Sequence, residues 1–176
     1  MPATFVHLRL HSAFSLTEST LRIDTLTKLV SGDSQPAAAI TDTNNMFGAL
    51  EFAQSMAAAG VQPIMGTQIE LEDKAGRGDV VLLAQNETGY VNLSQLLSKI
   101  LLSSDTAQTP ACAVEDLAGY SDGLILLTGG ALTGFVGGPA GDRRANLAEQ
   151  RLESLAAIVH GRLYIELQRH GLPAEV

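Results

Sequence analysis

"AAAITDTNNMFGALEFAQSMAAAGVQPIMG", residues 37–66, contains a full alternation of element types. Ala37 to Thr41 is apolar with a β-branched end, the pattern of a short, fully buried strand. Asp42-Thr43-Asn44-Asn45 has the chemistry of a turn and helix cap. The apolar spacing that follows predicts a helix, with Asn44 or Asn45 as its cap and Gly60 as its stop. "VQPIMG" then opens a further strand. Two apolar strands separated by one helix predict a crossover between parallel strands.

The alternation extends in both directions. Thr4 to Leu10 reads as a strand and residues 12–22 as a loop. "DTLTKLVS" (24–31) predicts a helix capped by Asp24. "VQPIMG" and "IELED" (69–73) read as one interrupted strand, and "DVVLLAQN" (79–86) as a buried one. "TGYVNLSQLLSKILLS" (88–103) is an amphipathic helix with Leu93, Leu96, Leu97, Ile100 and Leu101 on its apolar face. "GLILLTGG" (123–130) is a strand ending in glycines, "ALTGFVGGPAGDRR" (131–144) a Gly-rich loop, "NLAEQRLESLAAIVHG" (146–161) a helix and "RLYIELQRHG" (162–171) a last strand. The expected fold is a mostly parallel α/β sheet or barrel, with sites at the C-terminal ends of the strands. Chemically capable residues do follow strands there: His11, Asp42 to Asn45, Thr67-Gln68, Thr128 and His170. A barrel needs more strands than these, so a truncated domain is expected.

Composition narrows the functional classes. A chain of 176 residues, 45% of them hydrophobic, suits one domain with a sizeable core. It has no Trp, so that core is mostly Leu, Ile, Val and Ala. The net charge of −8 argues against a primary DNA-binding surface, which needs Lys and Arg to replace counterions. The one cysteine, Cys112, excludes a disulfide within the chain and fits a reducing cytoplasm. Neither a signal peptide nor an apolar run of membrane-spanning length is visible.

In an extended segment His7, Arg9 and His11 point to one face. Alternating histidines aim well at a metal ion, but arginine cannot ligate and stays charged. Three readings stay open: a plain polar strand, a metal site, and a structural cluster in which Arg9 pairs with Glu18, Asp42 or Glu70. "TDTNN" is equally a turn and cap. The Gly-rich loop lacks the Lys-Ser/Thr ending of a P-loop and the spacing of a dinucleotide loop. Cys112 has no evident base partner.

"FVHLRLHSAFSL", "AITDTNNMFGALEFAQSMAAAGVQPIMG", "LLAQNETGYVNLSQLLSK", "GLILLTGG" and "YIELQRHGLP" together resemble the N-terminal PHP (polymerase and histidinol phosphatase) domain of bacterial DNA polymerase III alpha subunits. The resemblance runs from about Phe5 to the C-terminus. It implies that residues 1–176 are a single PHP domain, truncated on its C-terminal side, and that the polymerase domains lie elsewhere. It implies an incomplete, distorted (β/α)7 TIM-like barrel with mostly parallel strands. PHP domains that keep their chemistry hold a cluster of metal ions. Carried over by position, the His-x-His pair falls on Arg9 and His11. The acidic loop ligand falls on Glu18, and Thr-Asp-His on Thr41, Asp42 and Thr43. The Glu of Gly-x-Glu falls on Gln68, the ligand after "LILLTG" on Gly130, and a kept His on His170.

Three of these positions have lost their donor and one is now a cation. The resemblance therefore implies a degenerate pocket without metal or catalytic residues, flanked by His7. It implies a catalytically silent scaffold and docking site for a proofreading exonuclease subunit, alongside other replicase subunits and the remaining polymerase domains. DNA contact, cytoplasmic location and Mg belong to the parent polymerase. The rival is a residual metal-dependent phosphoesterase or 3′–5′ exonuclease using His11, Glu18 and His170.

Overall fold

The computed structural model describes residues 5–103, 109–167 and 171. The chain divides into two compact units, residues 1–68 and 69–176.

The first unit holds α1 (Ile23–Gly32), β1 (Ala37–Ile40), α2 (Ala49–Ala58) and the start of β2 (Gln62–Asp73). β1 pairs in parallel with β2, Ala37 opposite Gln62 and Ile40 opposite Met65. The strand expected over Thr4–Leu10 is reduced, within the described residues, to one bridge between His7 and Ala38. Backbone bonds from Ala39 to His7 and from Thr41 to Leu10, both 2.8 Å, accompany it. Side chains take the donors a regular ladder would use. The His7 amide donates to Gln35 Oε1 and the Leu10 amide to Thr41 Oγ1.

Two caps also differ from expectation. α1 starts after Arg22, so Asp24 lies in its first turn, where a carboxylate meets the positive end of the helix dipole. α2 starts after Gly48. Asn45 instead closes a turn on itself, accepting the Phe47 amide at 3.1 Å. Gly48 lets the Phe14 ring approach closely, since a Cβ there would lie 2.9 Å from the ring and force it to shift. Gly60, at φ 74°, ends the helix as expected. The core joins Ile23, Leu26 and Val30 of α1 to Phe52 and Met56 of α2 over Ala38 and Ile40. Complete burial of a side chain such as Phe52 contributes about 2–3 kcal/mol.

The second unit contains the rest of β2, then β3 (Gly76–Ala84), α3 (Glu87–Ser103), β4 (Ala111–Ala113), α4 (Val114–Leu117), β5 (Leu124–Leu127), α5 (Gly137–Gly141), α6 (Ala145–Val159) and β6 (Leu163–Tyr164). β2 is continuous rather than interrupted. It pairs in parallel with β4, and β5 pairs in parallel with β6. β3 pairs antiparallel with β5, Val81 opposite Leu127. β3 leaves β2 by the two-residue turn Lys74-Ala75, and so short a connection can only return antiparallel. β4, α4 and the helical turn α5 inside the Gly-rich loop have no counterpart in the expected pattern. The last strand, expected over 162–171, is two residues long among the described residues.

The result is a mixed α/β fold with six mostly parallel strands. Among the described residues the strands do not close into the barrel expected from the resemblance. Arg151 pins the second unit. Its side chain is 4% exposed, forks onto both Asp73 oxygens at 2.8 Å, and donates to the carbonyls of Phe135 and Gly76. This buried fork holds the β2–β3 turn against α6. It also holds the carboxyl of Asp73 below its ordinary range, chiefly through that hydrogen bond.

Candidate functional site

The polar residues of the first unit gather where β1 and the segment 7–10 end. Asp42 is 1% exposed there, and the protein itself occupies its carboxylate. Its Oδ1 accepts from the Ser12 amide and from Ser15 Oγ, both at 2.6 Å, and its Oδ2 from Ser12 Oγ at 2.7 Å. Ser15 Oγ in turn accepts the Thr43 amide at 3.1 Å. The backbone carbonyl of Asp42 is held by Thr67 Oγ1 at 2.7 Å. A buried carboxylate needs this many charge-assisted bonds to offset its desolvation.

Glu18 returns on the loop to meet the same rim. Its Oε2 lies 2.9 Å from His11 Nδ1 and accepts Thr43 Oγ1 at 2.7 Å. Gln68 completes the row from β2. Its Oε1 accepts Arg9 Nη2 at 2.5 Å and lies 3.2 Å from His11 Nε2. Thr43 bridges Gln68 in parallel register, which fixes this meeting of β1 and β2.

Arg9 was expected to pair with Asp42, Glu18 or Glu70. Within the first unit its guanidinium donates to the Gln68 amide oxygen, and Asp42 and Glu18 are held by serine, threonine and histidine donors. Glu70 lies in the second unit, where Arg77 is 3.5 Å away, and burial raises its carboxyl above the usual value.

Arg9, His11, Glu18, Asp42, Thr43 and Gln68 are thus linked in one network. His7 has a different neighbour, its ring edge-on to Phe5 with centroids 4.8 Å apart. Gly130 is a buried packing residue of the second unit whose carbonyl accepts the Gly134 amide. A Cβ on Gly137 would lie 2.3 Å from that carbonyl. His170 lies outside the described residues. Sequence reasoning missed Ser12 and Ser15. Their signal was two hydroxyls spaced three apart in the loop after the first strand.

Chemically the network has no activated nucleophile. Ser12 and Ser15 donate to a carboxylate rather than to an imidazole. Among the described residues, no three His, Cys, Asp or Glu side chains gather around a space suited to a metal ion. Nor is any described helix long and apolar enough to cross a membrane.

A family model described as "PHP domain" matches residues 7–170. DNA polymerase III subunit alpha of Caulobacter vibrioides is 41% identical over 97% of this chain, which covers 16% of that protein. The subunit of the same name from Pseudomonas fluorescens is 35% identical over 98% of the chain, covering 15% of it. The chain therefore spans about 15% of the length of these curated relatives. In fold it is similar to a candidate metal-dependent phosphoesterase from Bifidobacterium adolescentis. The TM-score is 0.66 at 12% identity, covering 98% of this chain and 80% of that one.

Proposed function

Because the chain belongs to the PHP domain family, we propose that it is the PHP portion of a DNA polymerase III alpha subunit, acting in DNA replication in the cytoplasm. The likeness to alpha subunits along nearly the whole chain carries this reading. The parent protein is then a DNA-directed DNA polymerase. Its Mg-dependent nucleotidyl transfer belongs to domains outside this chain, and the barrel is completed by further chain of the parent.

We further infer that the pocket here is catalytically silent. The donor set does not fit a metal cluster of the kind the family implies. Arg9 places a cation beside His11 through Gln68, which is neutral. Asp42 has its oxygens filled by three protein donors. A divalent ion would face like-charge repulsion of several kcal/mol from a guanidinium at contact range. The segment then serves as a scaffold and as the docking site for a proofreading exonuclease subunit.

The test is metal analysis of the full parent chain after dialysis, with a co-purification assay against that exonuclease subunit. Fewer than one tightly held Zn or Mn per chain, together with a stable complex, is the expected result. Two or more ions per PHP domain would instead favour the rival reading, a phosphoesterase or 3′–5′ exonuclease built on His11, Glu18 and His170.

A further inference from the structure

We draw no further inference here: the strongest candidate, the polar hollow of about 420 Å³ between the β2–β3 ribbon and the Gly-rich loop of the second unit, has its arginines held by neighbouring carboxylates, Arg77 by Glu72, Arg144 by Asp142 and Arg151 by Asp73, and nothing in the structure points to what would fill it.

Discussion

Asp42→Asn separates a structural peg from a metal ligand. The change keeps the shape of the side chain and removes its charge. Oδ1 can still accept from the Ser12 amide and Ser15 Oγ, but as a neutral oxygen. At the Oδ2 position an amide NH2 would face Ser12 Oγ, now 2.7 Å away, and that hydroxyl must turn round to accept. Hydrogen bonds to a charged group contribute about 1.5–3 kcal/mol each, and neutral ones about 0.5–1.5. Losing about 1 kcal/mol at each of three bonds gives a destabilisation of about 2–3 kcal/mol. For a chain of this size that is a fall of about 4–12 °C in Tm. Thermal unfolding followed by circular dichroism measures it. Hydrogen exchange at the Ser12 and Thr43 amides locates it, because both donate into this net. A variant that melts within about 1 °C of the parent, with those amides still protected, would refute the reasoning.

Arg9→His should not create metal binding, because Thr43, Gln68 and Gly130 still supply no ligand of the required type. Zinc titration by calorimetry should give no saturable heat above that of the unaltered chain, and a stoichiometric site would contradict the account of the pocket. Arg151→Met should cost about 3 kcal/mol by stranding the Asp73 carboxylate and the buried Phe135 carbonyl. Asp73 titrates below its ordinary 3.8 when folded, so this contribution is complete above that pH and is lost as pH falls through the folded value. The stability gap between the two proteins, measured by urea unfolding, should therefore narrow under acid conditions, and a gap independent of pH would argue against the ion pair. Burial pushes the Cys112 thiol up to about 12, with Asp116 adding to the rise. Iodoacetamide at pH 8 should label it on the order of a thousandfold more slowly than a free thiol, and rapid labelling of the folded chain would show the site to be open.

The order of elements was legible because periodicity is local. The apolar run Leu124 to Leu127 and the stripe Ile23, Leu26, Val30 announce a buried strand and a one-sided helix without reference to the rest of the chain. Caps were less legible. Asp24 and Asn45 are good capping residues that found other work, Asp24 inside the first turn of α1 and Asn45 in the turn ahead of α2. The antiparallel β3 was hidden because a buried strand carries the same apolar pattern in either direction.

For the site, the resemblance named Arg9, His11, Glu18, Asp42, Thr43 and Gln68, which one network links, but it also named His7 and Gly130, which have other neighbours, and it did not name Ser12 and Ser15. How these side chains are satisfied depends on contacts between distant parts of the chain. Arg9 meets Gln68 across 59 positions, and Asp42 meets Ser12 and Ser15 across 30 and 27. Such distances in the chain are closed by strand register and loop path, and a hydrogen bond is won or lost within half an ångström. Composition could therefore name Asp42 as a candidate partner of Arg9. The register of β1 on β2 gave the guanidinium to Gln68, and the path of the loop gave the carboxylate to two serines.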